Sequence, residues 1–143
     1  MSATFDEIWA ELRDWVVAFF ADERIGSVRD ASLRDSITVL AHVPNGRQQQ
    51  MRISRVRVNP DDEWVELAAV VGLERVLGHR AALVQNQAVV GHFALDENGT
   101  YLYRHTLQMK YLAAPSDQFE VTLARMLSLS DYFEQQLTGQ DNW

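Results

Sequence analysis

The sequence predicts an α+β domain built on one antiparallel sheet of about five strands. Three observations point there. A helix with a capping box opens the chain, strand-like alternation punctuated by turn residues fills its middle, and an Asn-Gly hairpin runs directly into a long amphipathic segment. At 143 residues the chain has the length of one domain, so 1–143 is treated as a single unit. Such a length can bury a core without staples.

The opening helix follows Thr4-Phe5-Asp6-Glu7, which has the form of a capping box. Ile8, Trp9, Leu12, Trp15, Val16, Phe19 and Phe20 recur at helical spacing, and Gly26 is the expected stop. Their arc is wide and aromatic for a helix covering one sheet, so it can touch a second surface as well. Three strands come next. Ile37, Val39, Ala41 and Val43 share a face of the first, and Pro44-Asn45-Gly46 turns the chain. In the second, Met51 and Ile53 alternate, then the apolar phase slips to Val56 and Val58. An extra residue at Ser54-Arg55 restores it, which predicts a β-bulge. After the turn at Asn59-Pro60-Asp61-Asp62, the third strand, Trp64 to Val71, is apolar on both faces.

Gly72 to Gln87 has the spacing of a short helix, with Leu73, Val76, Leu77 and Leu83 as apolar positions. A hairpin over Ala88 to Leu107 follows. Its loop has two possible lengths. A two-residue Asn98-Gly99 loop sets His92 opposite His105, which could bring two metal-ligating imidazoles together. A three-residue loop, Glu97-Asn98-Gly99, pairs Phe93 with Tyr103 and Leu95 with Tyr101 and separates the histidines. Register follows the buried pattern, so the longer loop is expected. A last helix runs from about Pro115-Ser116 to Leu137, with Phe119, Leu123, Met126, Leu127, Phe133 and Leu137 on its apolar face and Gly139 as its stop. The order is α-β-β-β-α-β-β-α, which fits grouped strands and an antiparallel sheet.

Composition narrows function. A net charge of −7 argues against a nucleic-acid surface, which needs a basic face. There is no cysteine, hence no disulfide framework and no thiolate metal site. No apolar stretch approaches the roughly 18 residues of a membrane span. Neither a signal peptide, a nucleophile elbow, a phosphate-binding loop, a dinucleotide fingerprint nor a His-Glu-x-x-His motif occurs. The paired acids Asp6/Glu7, Asp22/Glu23 and Asp61/Asp62/Glu63 sit at helix ends and turns, where caps explain them. No catalysis, cofactor or metal is expected.

Arg47, Arg52, Arg55 and Arg57 make one strand basic in an acidic chain. With the apolar positions pointing inward, this is an exposed face: either solvated and paired within the molecule, or a docking surface for an acidic segment. Leu40 and Trp64 fall on the sheet face opposite the main apolar one. Contiguous exposed apolar residues signal a partner. Leu40, Arg52, Arg55, Arg57 and Trp64 are therefore the candidate partner-binding residues.

The passage Gly91-His92-Phe93-Ala94-Leu95-Asp96-Glu97-Asn98-Gly99, with Tyr103-Arg104-His105-Thr106-Leu107, adds a resemblance. In a small acidic chain with this element order it resembles the type III secretion chaperone-like fold, and the YbjN-like proteins of bacteria in particular. The resemblance covers most of the chain as architecture and the hairpin as motif. It implies a cytoplasmic, non-catalytic homodimer that holds an extended segment of another protein through apolar patches and strand addition at a sheet edge. The second helix, through Leu73, Val76, Leu77 and Leu83, is the expected dimer contact. A regulatory or small-molecule-binding domain with its own pocket is the alternative.

Overall fold

The structure, a computed structural model, describes residues 3–43, 46–73, 91–113 and 117–138. Helix α1 spans Phe5–Phe19. Its N-cap is Thr4, whose Oγ1 accepts a hydrogen bond from the Glu7 amide at 3.1 Å. Ile8, Trp9, Leu12 and Val16 are buried along its inner stripe. The helix stops at Phe20, well before Gly26, and the turn at Asp22 feeds a strand the sequence pattern did not reveal.

That strand is β1, Gly26–Asp30, followed by β2 (Ser36–His42), β3 (Gln48–Asn59), β4 (Asp62–Leu73), β5 (His92–Leu95) and β6 (Thr100–Gln108). They form one six-stranded antiparallel sheet in the order β1-β2-β3-β4-β6-β5, one strand more than expected. Gly26 serves pairing rather than helix termination. A Cβ there would collide with the Leu40 carbonyl oxygen and stand 2.9 Å from Ala41 Cα, so only glycine lets β1 lie this close to β2.

The predicted bulge at Ser54-Arg55 is absent. Pairing runs unbroken from Ile53↔Leu67 through Ser54↔Glu66 and Arg55↔Val65 to Arg57↔Glu63, and the register shifts only between Arg57 and Asn59, beside the turn. Val56 and Val58 thus point away from the core and are 38% and 62% exposed. The hairpin has the expected three-residue loop. Asp96 N–H donates to the Thr100 carbonyl at 2.9 Å, Gly99 takes φ +75°, and Phe93 faces Tyr103 while Leu95 faces Tyr101. Of these four side chains Tyr103 is fully buried, Phe93 and Tyr101 pack against the core, and Leu95 lies exposed at the rim.

Leu73 closes β4 opposite Thr100 rather than opening a helix. The remainder of the expected second helix, with Val76, Leu77 and Leu83, lies outside the described residues, as do His79 and the first residues of the predicted hairpin. After β6 a 3₁₀ turn, Met109–Tyr111, leads to helix α2, Asp117–Thr138. Phe119, Leu123, Met126, Leu127 and Phe133 are buried as its apolar period requires.

Both helices cover the same sheet face. Ile37, Val39, Ala41, Met51, Ile53, Val65, Leu67, Ala69 and Tyr103 supply the sheet's share of that core. The breadth of α1's aromatic arc has an internal explanation: Trp15 stacks on Phe19 at 5.0 Å and meets Phe119 of α2 edge-on at 5.3 Å. The second surface of α1 is α2, which removes α1 from the apolar surplus available to a partner.

Candidate functional site

Because side chains alternate across a strand, each strand sorts its residues between the helix-covered face and the opposite one. On β3 the odd-numbered residues Met51, Ile53, Arg55 and Arg57 take the helix side, and the even-numbered Gln50, Arg52, Ser54, Val56 and Val58 take the other. Among the described residues no helix lies on this second face.

This parity divides the arginines expected to act together. Arg55 turns under α1, with a side chain only 5% exposed. Its guanidinium meets the buried Glu63 carboxylate at 2.5 and 3.1 Å and Asp6 of α1 at 2.7 Å. The bonds to Glu63 hold Arg55 above its ordinary pKa, and the same guanidinium holds the Asp6 carboxyl below the usual carboxylate range. Arg57, on the same side, lies 3.5 Å from Glu63 and 3.8 Å from Asp35. Arg47 forms a forked pair with the buried Asp131 of α2, at 2.5, 3.0 and 3.1 Å. Arg55 and Arg57 thus stand on the opposite face from Arg52, Arg55 buried and Arg57 with its side chain 48% exposed. The cause is the unbroken register, which keeps them in phase with Met51 and Ile53.

Arg52 alone of the three faces outward. It is exposed, and among the described residues no hydrogen bond or ion pair reaches its side chain. It belongs to a row of directly paired positions that crosses five strands: Thr38, Arg52, Ala68, Arg104 and His92. Ala68 is the smallest side chain in the row and is 5% exposed, so it forms the floor of a depression of about 350 Å³. Thr38, Gln50, Arg52, Ala69, Val70, Leu102 and Asp96 of the hairpin loop also line it. Arg104, on the far side of Ala68, is already engaged. Its Nε donates to His92 Nε2 at 2.9 Å and its Nη1 lies 3.4 Å from Glu66 Oε2. One Asp96 oxygen is occupied by the amides of Asn98 and Thr100, at 2.8 and 2.9 Å.

Leu40 borders this region, one position along β2 from the Val39↔Met51 pair and opposite Gln50. Trp64 stands toward the other end of the same face, paired with Val56, its Nε1 donating to Asp62 at 2.7 Å. Four residues separate Ala68 from Trp64 along β4, about 13 Å. Leu40 and Trp64 therefore share a face but not a pocket, and neither lies on an edge strand, so they cannot line an edge groove. Thr38, Gln50, Glu66, Ala68, Val70 and Leu102 were missed in the sequence, whereas Arg104 and His92 are candidates there for lining a small-molecule pocket. Strict alternation with Tyr101, Tyr103 and His105 was the available signal for Leu102.

His92 and His105 lie on opposite faces. His105 pairs with Leu67 on the helix side, where burial, with a smaller contribution from the charge of His92, pushes its pKa down. Burial pushes the Tyr103 hydroxyl up, and that oxygen has no partner among the described residues. Among the described residues no group of three or more His, Asp or Glu is placed to hold a metal ion, and no helix is long and apolar enough to cross a membrane. No family model, no curated protein and no solved structure matches the chain.

Proposed function

We propose that this chain is a non-catalytic, chaperone-like protein-binding module of the cytoplasm that works as a homodimer and receives an extended segment of a partner protein on the bare sheet face. One observation carries the reading. Val56, Val58 and Trp64 stand partly exposed toward one end of this sheet face, and Val70 and Leu102, also partly exposed, line the depression toward its other end. Exposed apolar patches on a sheet face commonly mark a surface that meets a partner. The mode is side-chain docking across the face, because the apolar residues belong to inner strands and not to the edges β1 and β5.

The depression's volume of about 350 Å³ also favours a second reading, a small-molecule site, since such pockets start near 300 Å³. Panning a random dodecapeptide display library separates the two. The binding module should enrich peptides whose capture is lost in Leu102→Glu and kept in Val121→Glu, a change on the exposed side of α2. Absence of enrichment, or equal loss in both variants, defeats the reading. Sedimentation equilibrium tests the assembly: a species of 16.4 kDa at all micromolar concentrations rules out the homodimer.

A further inference from the structure

The docked segment has a definable chemistry, resting on the binding-module reading above. We infer that it carries an aspartate or glutamate that docks on Arg52, with an aliphatic residue on the floor made by Ala68, Val70 and Leu102 and a bulky apolar residue about four positions away over Val56 and Trp64.

Charge complementarity selects the acid. The bare face presents Arg52, Arg104, His92, Glu66 and Asp96 around the depression. Arg104 is shared between Glu66 and His92, and one Asp96 oxygen caps its own loop. Arg52 is left as the cation without a partner among the described residues, with its five donors available. A guanidinium fork matches a carboxylate in two parallel hydrogen bonds. Thr38 stands directly across from Arg52 and Gln50 lines the same hollow, so further donors surround the position the carboxylate takes. The chain as a whole carries −7, so anions are repelled at long range and the pairing has to be local.

Spacing selects an extended peptide over a free acid. Arg52 and Val56 lie four residues apart on β3, as Ala68 and Trp64 do on β4. That is about 13 Å, a span that an extended chain of about four residues covers and a small dicarboxylate does not. Between the two anchor points the face carries Ser54 and Glu66, the latter paired with Arg104.

Parallel selections on wild type and Arg52→Glu, followed by fluorescence-anisotropy titration of the consensus peptides, test this. The wild-type pool should fix an acidic residue about four positions from a bulky apolar one. Arg52→Ala should weaken that peptide roughly tenfold or more, as loss of a charge-assisted pair does. Arg52→Glu should instead prefer the peptide with lysine at the acidic position. A pool that is enriched but has no acidic position, or that Arg52→Glu leaves unchanged, overturns the inference while the binding module stands. An empty pool overturns both. Displacement of the peptide by glutarate at equal concentration shows that a free acid is the ligand and overturns the peptide assignment. Because Arg52 is exposed, its variants should keep the wild-type far-ultraviolet circular dichroism.

Discussion

Glu63→Gln should destabilise the fold far more than its place beside a surface turn suggests. The Glu63 and Arg55 side chains are 7% and 5% exposed, and the carboxylate takes two bonds from the guanidinium, at 2.5 and 3.1 Å. Removing one member of such a pair leaves a buried charge uncompensated, which costs about 3–5 kcal/mol when nothing else compensates it. Here Asp6 remains at 2.7 Å, but it is 73% exposed and shares its charge with water. The expected loss is therefore below the full penalty, about 2–3 kcal/mol. For a chain of 143 residues that corresponds to a fall in Tm of roughly 5–10 °C. Replacing both partners by apolar residues, Arg55→Met with Glu63→Leu, removes the desolvation penalty along with the attraction and should fall within about 1 kcal/mol of wild type. Urea unfolding of the wild type, Arg55→Met, Glu63→Leu and the double variant closes the cycle. If the double variant loses the sum of the two singles, the groups are not coupled and the reasoning fails.

Other consequences follow from the same geometry. Gly91 has φ +80°, and a Cβ there would lie 2.8 Å from the Arg104 carbonyl and 3.1 Å from Met126 Sδ and Tyr103 Cζ. Gly91→Ala should cost about 2–4 kcal/mol in denaturant unfolding, and a neutral result refutes the crowding. His105 binds its proton less readily folded than unfolded, so the unfolded state takes up more protons as pH falls. Stability should be full above the unfolded value of about 6.5 and decline below it, with a flatter profile in His105→Gln. Asp6 has the opposite charge type and a depressed folded pKa, so its contribution should persist through this window and be lost only in stronger acid, below the usual carboxylate range. Asp131→Asn keeps the volume but removes the charge facing Arg47, and should cost about 2 kcal/mol by chemical denaturation. A loss of only a few tenths would mean that α2 does not depend on this pair.

The fold class was legible because most elements obey a single period. The face of Ile37, Val39 and Ala41, the apolar stripe of α2 and the three-residue hairpin loop all followed from alternation, helical spacing and turn chemistry. β1 escaped because Gly-Ser-Val-Arg-Asp has one half-buried apolar side chain, Val28, and an edge strand needs little more. Its signal was Gly26, which has the same letter as a helix stop but works here through close backbone approach. The candidate site was half legible. Leu40, Arg52 and Trp64 do lie on the bare face, whereas Arg55 and Arg57 would join it only if a bulge buried Val56 and Val58, and both valines are exposed. Tertiary pairing overrides the apolar phase here. Shifting β3 by one residue would have broken its ladder with both β2 and β4.

The same stretch of β3 joins stability to the proposed task. At Met51, Arg52 and Ile53 the strand follows the usual rule, apolar under the helices and polar outside. Beyond Ile53 the pattern inverts: Arg55 and Arg57 lie on the helix side and Val56 and Val58 on the bare side. A sequence shaped for stability alone would exchange these positions, since the buried arginine needs two carboxylates and the exposed valines gain nothing from solvent. Local rules are broken most often where a surface has a function. The inversion sets an apolar anchor at Val56 and Trp64 on the same face as the unpaired Arg52, four residues away. It also fastens the N-terminal end of α1 to the other face through Asp6, so the helix that completes the core is held in place by residues interleaved with those that leave the bare face ready for a partner.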